Sequence, residues 1–143
     1  MIASLCLGVA FIAAAETVTT GNVELVASGF TFTEGPVWYN GELLFTDIPQ
    51  DRIHKADKSV FREPSNNANG LVLDTQGRLI ACEHGSRTVT RTEKDGTITT
   101  IAAEFEGKKF NSPNDATVRS DGTIFFTDPP YGLGDRPKEL DYQ

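Results

Sequence analysis

The sequence predicts an all-β fold of repeated four-stranded sheets, arranged as the blades of a β-propeller. Three observations carry this expectation. A hairpin-like phrase of about 14 residues occurs three times, as Glu34-Gly-Pro-Val-Trp-Tyr-Asn-Gly-Glu-Leu-Leu-Phe-Thr-Asp47, Asn69-Gly-Leu-Val-Leu-Asp-Thr-Gln-Gly-Arg-Leu-Ile-Ala-Cys-Glu83 and Asn114-Asp-Ala-Thr-Val-Arg-Ser-Asp-Gly-Thr-Ile-Phe-Phe-Thr-Asp128. Its turn glycines Gly41, Gly77 and Gly122 recur at 36 and 45 residues, the length of one blade. No segment between Thr17 and Gln143 keeps a helical period. A β-sandwich or jelly roll would not require aligned repeats.

Taken in order, residues 2–15 form an uncharged apolar stretch ending in Ala13-Ala14-Ala15. It is too short to span a bilayer and has the small-residue end of a secretory leader, so residues 1–15 are expected to be a signal peptide and the protein secreted or periplasmic. Cleavage would remove Cys6 and leave Cys82 alone, as a small buried hydrophobe within a strand. Val23–Ala27 alternates as a strand does, and Thr31–Glu34 leads into the first repeat. Arg52–Lys55 and Val60–Arg62 read as a pair of outer strands. Thr88–Thr92 and Thr97–Ala102 flank Lys94-Asp-Gly96, a hairpin turn. Trp38 is expected between blades and Tyr131 on a pocket wall, while Lys108-Lys109 reads as a solvated loop end. Residues 16–143 thus account for about three blades. Three blades do not close a ring, so this segment is expected to be the N-terminal portion of a larger, truncated propeller domain.

The chain of 143 residues is 38% hydrophobic and 23% charged, with a net charge of −7 and a pI near 4.7. That balance excludes a nucleic-acid binder, whose phosphate partner demands a basic face. Nothing after the leader suggests membrane association, and nothing in the sequence bears on oligomeric state. In a propeller the first residue of each repeat sits at one mouth of the central channel. Glu34, Asn69 and Asn114 should therefore converge. Their oxygens suit a hard cation such as Ca²⁺, which takes 6–8 oxygen ligands. Zn²⁺ is less well served without His or Cys at the position; Mg²⁺ and Mn²⁺ stay open. Taken singly, Asn69 and Asn114 also suit a turn and Glu34 a solvated loop. The closing acids Asp47, Glu83 and Asp128 are expected to accept turn N–H bonds and fix the blades. His84 breaks the repeat after Glu83; it could shuttle a proton, hydrogen-bond substrate or be a plain loop histidine.

Glu34-Gly-Pro-Val-Trp38, Ala81-Cys-Glu-His-Gly85, Asn111-Ser-Pro-Asn-Asp115 and Phe126-Thr-Asp-Pro-Pro-Tyr-Gly132 closely resemble the gluconolactonase branch of the SMP-30/gluconolactonase/LRE-like family. The resemblance runs from about Val23 to the last residue. It implies a six-bladed propeller that holds a divalent cation, often Ca²⁺, and hydrolyses a small-molecule lactone. It further implies Glu34 and Asn114 as metal ligands, Asp115 beside the metal or in contact with substrate, and Asn69 facing substrate or water. Two further ligands, an Asn and an Asp from later blades, the Asp being the usual general base, have no counterpart in these residues. Ser112 stands where some members carry an Arg, which bears on sugar-acid preference. Because propellers host many functions, a non-catalytic propeller that binds a ligand or partner at the channel mouth is the alternative.

Overall fold

The computed structural model describes residues 21–136; the expected leader and the last seven residues lie outside them. Alternating apolar residues and tight turns give two complete four-stranded antiparallel sheets and the inner pair of a third. The first sheet runs β1 (Thr33–Tyr39), β2 (Glu42–Asp47), β3 (Arg52–Lys55) and β4 (Val60–Arg62). The second runs β5 (Ala68–Leu73), β6 (Leu79–Glu83), β7 (Thr88–Thr92) and β8 (Ile98–Ala102). A small hairpin, β9 (Glu104–Phe105) and β10 (Lys108–Lys109), precedes β11 (Ala116–Val118) and β12 (Ile124–Phe126). Both sheets keep sequence order from first strand to last, as propeller blades do.

The repeat seen in the sequence is a repeat in register. Val37 pairs with Leu44, Val72 with Ile80 and Thr117 with Phe125, each the fourth residue of its phrase opposite the third before the closing acid. β1 breaks register between Glu34 and Val37, and β5 between Ala68 and Leu71. These bulges sit where the opening residues lie. A bulge re-aims the side chains beside it, a common device near functional sites.

Two apolar layers join the blades, and β6 supplies both. Leu79 and Ala81 face the first blade in a layer with Leu44, Ile53 and Leu71. Ile80 and Cys82 face the third in a layer with Val89, flanked by Val118, Ile124 and Phe126. A strand covered on both sides must be apolar at every position, which is why Leu79-Ile-Ala-Cys82 shows no alternation. Cys82 is fully buried, as expected, and burial pushes its thiol up to about 12.

The closing acids anchor the blades. Asp47 accepts the N–H groups of Thr31 at 2.9 Å and Phe32 at 3.0 Å. Asp128 accepts that of Asn111 at 2.7 Å. Glu83, fully buried, takes an ion pair from Arg62 at 2.6 Å and hydrogen bonds from Asn66, Ser86 and Thr90. Arg62 belongs to β4, so this pair pins the outer edge of one blade to the next.

Two expectations are corrected, at Val23–Ala27 and at Lys108-Lys109, and two large aromatics stand more exposed than expected. Val23–Ala27 is not a strand: among the described residues no strand pairs with it, and Val23 and Leu25 are exposed. Among the described residues Trp38 is 66% exposed and not packed between blades, because alternation along β1 turns Val37 and Tyr39 toward the second blade and Trp38 to the opposite face. Tyr131, expected on a pocket wall, is 80% exposed among the described residues. Lys108-Lys109 forms strand β10, still solvated.

Arg62→Met should destabilise the protein by about 3–5 kcal/mol in urea unfolding, because it leaves the Glu83 carboxylate buried without its cation. Alkylation at Cys82, mapped by mass spectrometry at pH 8, is expected only after unfolding.

Candidate metal and substrate site at the channel mouth

The starts of the three inner strands meet closely. A Cβ at Gly35 would lie 2.3 Å from Asn69 O and 2.8 Å from Leu71 N. One at Gly70 would lie 2.7 Å from Asn114 O. Gly70 N–H donates to Asn114 O at 2.7 Å, and Thr46 Oγ1 to Asn69 O at 3.0 Å. Gly35 also has φ +52°, in the left-handed region. The glycine in second position of the first two phrases is thus where one blade's backbone touches the next.

This contact brings four predicted residues to one cavity of about 300 Å³, lined by Glu34, Asn69, Asn114 and Asp115. Glu34 and Asp115 are exposed, Asn114 is half-buried and Asn69 is 7% exposed. The Asp115 carboxylate is turned back on its own strand, where Oδ1 accepts Ala116 N–H at 2.8 Å. Oxygen is therefore the donor type throughout: two carboxylates and two side-chain amides. Such a set fits a hard divalent cation and poorly fits Zn²⁺. Among the described residues no group of three or more His, Cys, Asp or Glu could hold a metal. A cation at this cavity would thus depend on the amide oxygens as well as the two acids.

His84 stands behind this wall. It is 7% exposed, and its Nε2 lies 3.2 Å from Asn69 Nδ2. Burial, and then the charge of Arg136, lower its proton affinity and keep the ring neutral. Burial raises the proton affinity of Asp128, against the N–H bonds that it accepts.

Two contributors were missed in the sequence. Gly132 lies flat on the His84 ring: a Cβ there would be 2.4 Å from Cγ and Nδ1. Arg136 donates to His84 O and Gly85 O, each at 2.9 Å, and to Gly132 O at 2.7 Å. The Pro129-Pro-Tyr-Gly132 motif was the available signal, but a turn motif does not say what it lies against. Ser112, noted only as a departure from Arg, is fully buried; its hydroxyl donates to Pro129 O and accepts Gly132 N–H at 2.9 Å.

Successive blades around an oxygen-lined channel mouth define a partial β-propeller. The profile of the SMP-30/Gluconolactonase/LRE-like region matches residues 32–139, and the chain belongs to that family. A gluconolactonase of Zymomonas mobilis subsp. mobilis is 34% identical over 131 aligned residues, covering 78% of this chain and 37% of the relative. A solved structure assigned as a gluconolactonase superposes with a TM-score of 0.72 at 44% identity, covering 77% of this chain and 40% of that one. A gluconolactonase of Xanthomonas campestris gives 0.71 at 37% identity, with 76% and 38% covered. The chain thus spans about two-fifths of the length of these relatives. Streptogramin B lyase, at 19% identity and a TM-score of 0.53, shares the fold.

Because folded His84 binds its proton less readily than an unfolded imidazole, the unfolded chain carries more protons just below the ordinary value of 6.5. Stability therefore falls as pH drops through that window. Urea midpoints at pH 7.5 and 5.5 are expected to differ less in His84→Gln than in the wild type.

Proposed function

We propose that the cavity is part of the active site of a metal-dependent lactone hydrolase that opens a sugar lactone to the sugar acid. The observation that carries this is the convergence of Glu34, Asn69, Asn114 and Asp115 on one oxygen-lined cavity, in a chain whose relatives are gluconolactonases. Glu34 and Asn114 would hold a divalent cation, Ca²⁺ in the first instance, with Mg²⁺, Mn²⁺ and Zn²⁺ as the other candidates. Bound there, such a cation would supply Lewis acidity toward a lactone carbonyl.

The chain's own groups have distinct tasks. Glu34 contributes the negative charge that draws a cation to an otherwise amide-rich wall. Asn114 contributes a neutral oxygen while its N–H₂ group can donate to a substrate hydroxyl. Asp115, exposed beside it, can accept from a sugar hydroxyl with the carboxylate oxygen that Ala116 does not use. Asn69 presents a buried amide that orients substrate or water, with His84 supporting it. The apolar layer containing Cys82 lies behind, so no thiol competes for the cation. Export, with residues 1–15 as leader, is part of the same proposal and suits a Ca²⁺-dependent site.

Glu34→Gln, made where the complete ring is present, is expected to lower δ-gluconolactone hydrolysis at least about 100-fold. Ca²⁺ binding by calorimetry should weaken in parallel, with the thermal midpoint little changed. Hydrolysis that survives this substitution would sink the proposal. Among the described residues the cavity offers too few side-chain oxygens to complete a Ca²⁺ shell; the purified chain is expected to show no metal-dependent turnover, and measurable turnover would overturn that point.

A further inference from the structure

His84 is a buried titratable group directly behind the Asn69 amide, and its neighbours specify how it supports that residue. Its ring has three neighbours. Asn69 Nδ2 faces Nε2 at 3.2 Å, Gly132 covers the opposite edge and face around Cγ and Nδ1, and Arg136 holds the backbone carbonyl at 2.9 Å. The amide nitrogen has hydrogens and no free lone pair, so Nδ2 is the donor and Nε2 the acceptor. The ring proton then sits on Nδ1. Oδ1 and Nδ2 point to opposite sides of an amide, so an Asn69 whose N–H₂ is tied to His84 turns its carbonyl oxygen the other way. Asn69 lines the cavity. Its hydrogen-bonding direction there is therefore set from behind.

We propose that His84 is a positioning residue, which fixes the Asn69 amide with its oxygen toward the channel mouth, and that the loop 129–136 is the clasp that holds the ring in place. The clasp is built for contact. Gly132 must lack a side chain to lie on the imidazole, and its N–H is held by Ser112 Oγ at 2.9 Å. Arg136 then bonds Gly132 O and Leu133 O on its own loop and His84 O and Gly85 O on the second blade. A released amide could rotate and present its N–H₂ group to the cavity. Hydrogens would then face the position where Glu34 and Asn114 gather oxygen donors. The orientation of Asn69 consequently decides whether that wall accepts or donates.

Only the kinetic part of the test rests on the lactonase assignment. In protein labelled with ¹⁵N-histidine, His84 Nε2 should appear as an unprotonated, hydrogen-bonded nitrogen, and its resonance should shift in Asn69→Ala. A proton on Nε2, or no response to Asn69→Ala, overturns the proposal. His84→Gln keeps an acceptor in the side chain, whereas His84→Phe fills the space without one. Gly132→Ala displaces the ring while leaving every polar group in place, and it serves if His84→Phe does not fold. Where the complete ring hydrolyses δ-gluconolactone, His84→Phe and Gly132→Ala should raise KM roughly tenfold. They should leave kcat within about threefold, with His84→Gln close to wild type. The double variant Asn69→Ala, His84→Phe should be no worse than Asn69→Ala alone. Additive losses would mean that His84 meets substrate directly, and would overturn the positioning role. A wild type without turnover would defeat the lactonase assignment and leave the nitrogen spectrum to decide on His84.

Discussion

Backbone meets backbone where the inner strands of neighbouring blades begin, and the site depends on that approach. The missing side chain of Gly35 admits the carbonyl of Asn69, and that of Gly70 admits the carbonyl of Asn114. Any side chain at either position would have to push the next blade outward. The first strands would then diverge at the level where Glu34, Asn69 and Asn114 come together. Oxygen ligands for a cation must lie within a few ångströms of one point. Steric absence at two residues is thus what lets polar groups from different sheets share a cavity.

The closing acids set the other coordinate. Asp47 holds the N–H groups three and two residues before Glu34. Asp128 does the same for the segment before Asn114, where it accepts from Asn111. In the middle repeat Glu83 is reached by the Asn66 side chain, three residues before Asn69, and by Arg62 from the preceding blade. Each phrase therefore closes on an acid that fixes where its own opening residue stands. The acids stand apart from the cavity, yet their removal would loosen the opening residues first. Buried carboxylates with several donors are costly to expose and to leave unpaired, so they impose one geometry on a loop that could otherwise adopt many.

Much of this was legible in the sequence because a repeat converts one-dimensional spacing into position. Gly41, Gly77 and Gly122 mark the hairpins, and the equivalence of Glu34, Asn69 and Asn114 follows from counting away from them. What the sequence concealed was contact between elements of unequal kind. Trp38 looked like inter-blade packing because large aromatics usually are buried, but strand alternation gives the side toward the second blade to Val37 and Tyr39. Val23–Ala27 has a strand's pattern without a strand's partner. His84 stood out as a break in the repeat and a candidate proton shuttle or substrate contact; that it faces the Asn69 amide depends on a fold-back that periodicity does not encode. Gly132 and Arg136 act on residues about 50 positions away, and no local rule predicts their partners.

The third repeat departs from the other two in an instructive way. Where the first two phrases have glycine in second place, the third has Asp115. The ideal Cβ position at Gly70 is 2.4 Å from Asp115 Oδ1, so the carboxylate occupies the room that the glycine leaves empty. Among the described residues, no following blade presses on Asp115 as the third presses on Gly70. The same absence of a side chain therefore does two jobs at Gly70. It lets the Asn114 carbonyl accept the Gly70 N–H at 2.7 Å, and it seats a second acid beside Asn114. With Glu34 across the cavity, that acid gives the wall two negative charges flanking two amides. A repeat that merely duplicated itself would have given a third glycine and one charge fewer. The site's charge is consequently a product of where the repeat is broken, and its geometry a product of where the repeat is kept.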